Sequence, residues 1–224
     1  TTEGEVVVAA RALDSALDTA GRVERREIDI PAEAVTATLP SLYNTGPTEV
    51  LLATLSVAVA AVFGRTGDRR LFVDLEGHGR DETLVDGADL SRTVGWFTAI
   101  FPVRLDLAGI DIDAALAGGP ALGQAVKAVK EQLLSVPDKG IGYGLLRYCN
   151  PETSTRLAAT PAGQISFNYL GRLDAGEVST DRMPELGWLP AGDLGDLSAT
   201  DDPDDPALAA VDINAVILGG ELGA

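Results

Sequence analysis

The chain has 224 residues and a formal net charge of −17, from 34 acidic against 17 basic residues. Hydrophobic residues make up 46% and charged residues 23%, a composition typical of one large globular domain or one and a half small ones. The negative charge argues against nucleic acid or an anionic membrane surface as a partner. The single cysteine, Cys149, excludes an intramolecular disulfide and favours a reducing compartment, so we expect a cytoplasmic protein.

The first half of the chain predicts two helices between strands. Residues 23–30 alternate apolar and charged side chains, which indicates a strand. A short helix begins at Pro31 and is expected to end at Pro40. Residues 47–64 form the clearest helix, apolar nearly all round and therefore buried, yet too short to span a bilayer. Apolar runs at residues 71–75 and 96–107 predict two further strands.

The second half predicts a long helix over residues 111–136, a glycine-rich loop over residues 137–144 and a short helix after it. Residues 164–170 and 211–218 are strand-like, and an acidic, proline-rich connection separates them. Since the final strand leads into a turn close to the last residue, we expect a fragment of a longer α/β protein.

The residues that suggest chemistry follow the strand at residues 71–75. Glu76 is succeeded by a Gly-His-Gly turn and by Arg80, and glycines let a backbone turn sharply beside a substrate. A solvated surface charge is the ordinary alternative for Glu76. His78 is a candidate base or a structural histidine, since no second His or Cys completes a metal site. Arg80 is either the partner of a local acid or a clamp on a polar substrate group.

Three other features leave alternatives open. The loop at residues 140–144 lacks the spacing and the Lys-Ser/Thr pair of a nucleotide site, so it is either a tight turn or part of a substrate tunnel. Asn168 and Tyr169 are adjacent in a strand and face opposite sides, so at most one faces a given site unless both lie at the strand end. Cys149 has no nearby histidine and is expected to be a buried small hydrophobic residue.

Four motifs together resemble the epimerization domains of nonribosomal peptide synthetases. Residues 76–81 (EGHGRD) resemble EGHGRE, and residues 92–98 (RTVGWFT), with the Phe-Pro pair at residues 101–102, resemble RTVGWFTxxYP. Residues 137–144 (PDKGIGYG) resemble PxxGxGYG, and residues 167–174 (FNYLGRLD) resemble FNYLGxxD. Only Asp81 for Glu and Phe101 for Tyr depart from the pattern, and both changes are conservative.

The resemblance implies an α/β fold similar to chloramphenicol acetyltransferase, with two lobes around a tunnel. It implies that residues 1–224 are the C-terminal lobe, with a central, mostly β sheet flanked by helices. The HHxxxDG motif of the N-terminal lobe and the final helices of the C-terminal lobe are absent from the sequence. The isolated lobe is therefore expected to be inactive and to need its N-terminal lobe.

The implied activity is inversion of the α-carbon of an aminoacyl or peptidyl thioester, carried on the phosphopantetheine of a carrier protein domain. Glu76 is implied as one acid or base, and Arg80, Asn168 and Tyr169 as residues that bind substrate. The chemistry implies no metal and no cofactor of its own. A peptide-bond-forming condensation domain and a non-catalytic module that only docks a carrier protein remain as alternatives.

Overall fold

The computed structural model describes residues 8–64, 69–82, 86–160, 163–174 and 202–219. Within these residues one sheet contains the strands β1 (Arg70–Gly77), β2 (Ala99–Asp106), β3 (Ile165–Asp174) and β4 (Val211–Gly219). The α-helices are α1 (Leu39–Tyr43), α2 (Pro47–Phe63), α3 (Ile112–Leu116), α4 (Pro120–Leu134), α5 (Gly142–Gly144) and α6 (Pro151–Ala158). Two wide π-type turns flank these helices. The turn Ala34–Thr38 directly precedes α1, and the turn Leu145–Cys149 directly follows α5.

The strand order of the sheet is β2-β1-β3-β4. Strands β1 and β2 are antiparallel neighbours, whereas β3 is parallel to both β1 and β4. Val73 lies opposite Ile165, which fixes the register of the two central strands. Because β1, β3 and β4 run in the same direction, their carboxyl ends meet at one edge of the sheet, where parallel sheets usually carry functional side chains.

Helices α2 and α4 cover one face of the sheet and form the hydrophobic core with it. Alternation along β1 sends Leu71, Val73 and Leu75 to this face, where all three are buried. Gln132 fastens α4 to β2, because its side chain accepts from Asp106 N (2.7 Å) and donates to Asp106 O (3.0 Å). The largest fully buried side chains include Phe167, Leu52, Leu105, Leu107, Ile165, Val50, Val126 and Val129.

The structure confirms the helix predicted over residues 47–64 as α2, but it corrects the expectation that this helix is buried all round. The helix begins at Pro47 and is followed by Gly64 as its C-cap, as the sequence indicates. Val62 is 73% exposed, however, so the helix is buried on one side rather than all round. Within the described residues no single helix is long and apolar enough to cross a membrane; the bent pair Ala34–Tyr43 and Pro47–Phe63 meets that test by length and composition only.

The single helix predicted over residues 111–136 is wrong, because the chain forms α3 and α4 with a break between them. Gly118 adopts φ +77°, a left-handed conformation that ends a helix, and Pro120 then begins α4 without a backbone N–H to donate. Asp111 caps α3 by accepting a hydrogen bond from Ala114 N at 3.0 Å. The glycine-proline sequence outweighs the alanine-rich helical pattern on either side.

The strand predicted over residues 23–30 is also wrong. In the described part of the chain these residues pair with no strand, and Ile28 is 82% exposed. Alternation of apolar and charged residues stabilises a strand only where a sheet edge and a buried face are available to it. In the described structure this segment pairs with no sheet edge and has no buried face, so its apolar side chains remain in solvent.

The helix predicted to end at Pro40 continues to Tyr43. The wide turn Ala34–Thr38 precedes the proline and lacks the regular α-helical hydrogen bond that Pro40 would interrupt. Asn44 then ends the helix in a left-handed conformation (φ 48°), and its N–H donates to Pro40 O.

The remaining predicted elements have mixed outcomes. The strands at residues 71–75, 164–170 and 211–218 are confirmed, and the short helix after the glycine-rich loop is present as a π-type turn. Strand β2 begins at Ala99 rather than at residue 96, and Trp96 is 91% exposed. Cys149 is exposed, which corrects the expectation that it is buried. Most of the acidic connection, and the turn beyond Gly219, lie outside the described residues.

Candidate active site

The face of the sheet opposite α2 and α4 carries a set of polar side chains, which we call the polar face. Paired residues of neighbouring strands point to the same side of a sheet, so the register identifies its members. They are Asp74 and Glu76 on β1, Ser166 and Asn168 on β3, and Asp212 and Asn214 on β4. Ser166 is buried, whereas the other five side chains are at least partly exposed and form a surface suited to a polar substrate.

Glu76 lies one residue before the carboxyl end of β1 and is half-buried. On β2 its partner is Ile100, and on the other side it lies one position beyond the pair Leu75 and Phe167, next to Asn168. Burial raises the pKa of the Glu76 carboxyl above its ordinary value, and the charge of Asp212 raises it further. A carboxyl in this state can both hold and release a proton closer to neutral pH.

Asp74 precedes Glu76 by two residues on the same face and is also half-buried. It accepts a hydrogen bond from Gly163 N at 3.0 Å, just before β3 begins. Burial raises the pKa of the Asp74 carboxyl, and this hydrogen bond opposes the increase. A Cβ on Gly163 would lie 2.7 Å from Asp74 N, so the two backbones are in close contact here.

The turn after Glu76 is held against the loop that precedes β2. Gly79 adopts φ +63°, and a Cβ there would lie 1.7 Å from the carbonyl oxygen of Phe97, so only glycine fits. The Arg80 guanidinium donates to Thr93 O at 2.8 Å and to Gly95 O at 3.3 Å. It also lies 4.5 Å from the centroid of the Phe97 ring, a cation–π distance. Arg80 therefore fastens this loop.

The glycine-rich loop packs on the same end of the sheet. Gly140 adopts φ +82°, and a Cβ there would lie 2.2 Å from the ring of Phe101. Lys139 forms an ion pair with Asp81 at 2.9 Å, which joins this loop to the turn after Glu76. The structure thus brings together three separate sequence motifs around Glu76.

The sequence-predicted site residues divide into two groups. Glu76 and Asn168 lie next to each other on the polar face. Tyr169 faces the other side and packs against the hydrophobic core, as expected for adjacent positions of a strand. Arg80 is exposed but holds backbone carbonyls, and His78 Nδ1 accepts from Arg80 N at 3.0 Å. Contact of Arg80 and Tyr169 with substrate stays a prediction.

Sequence reasoning missed Asp74, Ser166, Asp212 and Asn214 as members of the polar face. Asp74 precedes Glu76 by two residues, and the strand VDINAVIL has polar residues at alternate positions. Because residues two apart in a strand share one face, this alternation indicates that each strand has a polar side. Only the strand order shows that β4 lies beside β3 and shares its polar side. Within the described residues, no group of three or more His, Cys, Asp or Glu could hold a metal ion.

Comparison with known proteins identifies the family. The condensation domain family model matches residues 18–191. The chain is 44% identical over 183 residues to chondramide synthase of Chondromyces crocatus, covering 82% of the chain and 4% of that protein. It is 46% identical over 145 residues to one of the linear gramicidin synthase proteins of Brevibacillus parabrevis, covering 65% of the chain and 2% of that protein.

A solved structure shows the same architecture. The chain is similar to the epimerization domain from the third module of tyrocidine synthetase B, with 30% identity and a TM-score of 0.61. The match covers 83% of the chain and 37% of that domain. The chain spans a small part of the synthetases that it matches, from 2% to 4% of the two described above.

The chain belongs to the condensation domain family found in nonribosomal peptide synthetases. The resemblance inferred from the four motifs is confirmed at this level. The predicted fold class is confirmed as well, since a mostly β central sheet flanked by helices matches part of the solved epimerization domain.

Proposed function

We propose that residues 1–224 form the C-terminal lobe of an epimerization domain. Its substrate is an aminoacyl or peptidyl thioester on the phosphopantetheine arm of a carrier protein domain, and its reaction inverts the α-carbon from L to D. An N-terminal lobe with the HHxxxDG motif supplies the opposite wall. The isolated lobe is inactive on this proposal, because the reaction needs groups on both faces of the substrate.

The observation that carries the proposal is the environment of Glu76. Its carboxyl is half-buried on the polar face, and burial together with the charge of Asp212 raises its pKa. An acid–base group works best when its pKa lies near the operating pH. The 30% identity to a solved epimerization domain supports this activity over others of the family.

The reaction moves one proton off the α-carbon and one back on. A base removes the α-proton from one face, the electron pair moves into the thioester carbonyl, and negative charge develops on its oxygen. A proton donor on the other face then protonates the α-carbon, and the carbonyl re-forms. Glu76 serves as one of these two groups, and hydrogen-bond donors near the thioester oxygen stabilise the intermediate charge.

Asn168, Arg80 and Tyr169 have different roles in this proposal. Asn168 lies beside Glu76 on the polar face and contacts substrate through its amide. Arg80 and Tyr169 act on the substrate site indirectly: Arg80 holds the loop of residues 90–95, and Tyr169 packs on the core on the opposite side of β3. No cofactor takes part, since the thioester itself activates the α-proton.

Deuterium incorporation at the α-carbon tests the proposal. The full-length protein that carries this sequence is incubated in heavy water with a carrier-bound aminoacyl thioester, and the product is examined by mass spectrometry. We expect Glu76→Gln to slow exchange by at least about a hundredfold, because an acid–base group contributes about 10²–10⁴ to a rate. The matched control is Glu131→Gln, an exposed residue of α4, which should leave the rate unchanged.

Each other outcome assigns a different function. Exchange that survives Glu76→Gln would remove Glu76 from the mechanism. If no α-proton exchanges and product forms only with an acceptor amine, the domain forms peptide bonds by condensation. If neither reaction occurs while the carrier protein still binds, the domain is a docking module.

A further inference from the structure

The two neighbours of Glu76 across the sheet differ in their chemistry. On β3 the neighbour is Asn168, whose amide both donates and accepts hydrogen bonds. On β2 the partner is Ile100, an aliphatic side chain directly opposite Glu76 in the antiparallel register. The motif RTVGWFTxxYP leaves position 100 open, so the resemblance assigns Ile100 no role.

Ile100 presents apolar surface beside the Glu76 carboxyl. Directly opposite residues of an antiparallel pair point to the same side of the sheet, with Cβ atoms about 4.5–5.5 Å apart. The alternation of β2 agrees, because Phe101 and Val103 are buried in the core whereas Ile100 is 51% exposed on the other side. An aliphatic side chain that is half in solvent offers apolar area for a ligand to bury.

An α-carbon held at Glu76 brings its other substituents to these two neighbours. Besides the α-proton it carries the nitrogen, the thioester carbonyl and the amino-acid side chain. The nitrogen and the carbonyl need hydrogen-bond partners, which Asn168 offers and Ile100 does not. An apolar amino-acid side chain needs none and is stabilised when it leaves water. The arrangement of lowest free energy therefore directs the nitrogen and the carbonyl towards β3 and the amino-acid side chain over β2.

We propose that Ile100 is a specificity-determining residue, which contacts the side chain of the aminoacyl group and favours thioesters of large aliphatic amino acids over those of small ones. This inference rests on the proposed action of Glu76 at the α-carbon and names the substrate class of that same site. Pro102, opposite Asp74, is the next residue of β2 on this side and extends the apolar surface. Arg104 follows and is exposed, about 13 Å along the strand from Ile100, so its charge lies beyond the reach of an aliphatic side chain.

Competition between two substrates in one sample tests the inference. The full-length protein is incubated in heavy water with equal amounts of carrier-bound leucyl and alanyl thioesters, and the deuterium in each is measured by mass spectrometry. We expect the parent to exchange the leucyl thioester faster. Ile100→Ala should lower the ratio of leucyl to alanyl exchange by about tenfold, the low end of what a methylene group contributes in a hydrophobic pocket. Because both substrates meet the same enzyme, any loss of folded protein cancels from the ratio.

Two further variants separate a contact with the side chain from a general effect. Val62→Ala shortens an exposed aliphatic side chain on α2, across the sheet from the polar face, and should leave the ratio unchanged. Asn168→Ala should slow both substrates equally, because both contain the nitrogen and the carbonyl. Equal exchange of the two thioesters by the parent, an unchanged ratio in Ile100→Ala, or a fall of the same size in either further variant overturns the inference.

Binding distinguishes failure of this inference from failure of the proposed function. If Glu76→Gln leaves exchange intact, or if no α-proton exchanges, the proposed function fails and the affinity of the full-length protein is measured instead. The probes are carrier domains that bear leucine or alanine through a stable amide in place of the thioester. Ile100→Ala should weaken binding of the leucyl probe by about tenfold relative to the alanyl probe, because the larger side chain loses more buried apolar area. An unchanged ratio of the two dissociation constants overturns the inference.

Discussion

Two effects act in the same direction on the proton affinity of Glu76. Burial removes water from its carboxyl, and the charge of Asp212 on the same face disfavours a second negative charge. Both effects raise the pKa and make the ionised form less stable in the folded protein. The same property that suits Glu76 to proton transfer therefore lowers the stability of the fold at neutral pH.

This opposition between stability and chemistry gives a residue-scale prediction. The folded-state pKa of Glu76 lies above its ordinary value of 4.5, so the penalty for ionisation is fully present above the raised pKa and is lost as the pH falls through it. Glu76→Gln should therefore increase the protection of β1 amides from hydrogen exchange at neutral pH. The gain should decrease with acidity and be absent well below pH 4.5.

The control for this prediction is Glu131→Gln on α4, whose side chain is exposed. It should show no pH-dependent gain. A loss of protection in Glu76→Gln at neutral pH, or an equal change at acidic and neutral pH, would contradict the account of Glu76.

Arg80 shows what a single residue type can and cannot indicate. The motif predicts a functional region, and an arginine is suited to polar substrate groups. In the structure its guanidinium donates to backbone carbonyls of residues 90–95 and lies over the ring of Phe97. These partners belong to a loop that has no regular periodicity, so the sequence carries no signal for their position.

At the scale of elements, three loops depend on one another at the end of β1. The turn with Gly79 touches Phe97, and the loop with Gly140 packs on the ring of Phe101 and is tied by Lys139 to Asp81. Phe101 replaces the tyrosine of the family motif and is buried, with 6% exposure. The position of Glu76 therefore depends on close contacts of glycine backbones with aromatic residues.

We predict that Gly140→Ala disturbs this arrangement. Its Cβ would overlap the Phe101 ring at 2.2 Å, and φ +82° is unfavourable for alanine by about 1–2 kcal/mol. Denaturant unfolding should show a loss of at least this size, together with slower α-proton exchange. Gly142→Ala is the matched control, because a Cβ there meets nothing within 4 Å and its φ is not positive. Equal stability of the two variants would contradict the packing described.

The elements themselves were partly predictable from sequence. Periodicity and caps correctly indicated α2 and the strands of the sheet, since these elements are long and have one buried face. The strand predicted over residues 23–30 is wrong, because alternation of apolar and charged residues does not reveal whether a partner strand exists. Periodicity does not indicate the helix break at Gly118, because the alanine-rich pattern continues on both sides of the glycine and the proline.

At the scale of the whole molecule, the two faces of the sheet have different roles. One face packs against α2 and α4 and supplies the core, whereas the polar face carries the candidate site. The sequence identified Glu76 and Asn168 through motifs. It could not show that β3 lies between β1 and β4, because strand order depends on contacts between residues far apart in the chain. Asp212 and Asn214 were therefore recognisable only in the folded structure.

Adjacent residues of β3 allow a direct test of this separation. Phe167 is 2% exposed within the core, whereas Asn168 faces the polar side. We expect Phe167→Ala to lower the free energy of unfolding by about 3–5 kcal/mol through the lost burial and the cavity that it leaves. Asn168→Ala should change stability by no more than about 1 kcal/mol and still slow α-proton exchange by about tenfold or more. Denaturant unfolding and the deuterium assay measure the two effects, and a destabilised Asn168→Ala with undiminished exchange would show that the polar face is structural.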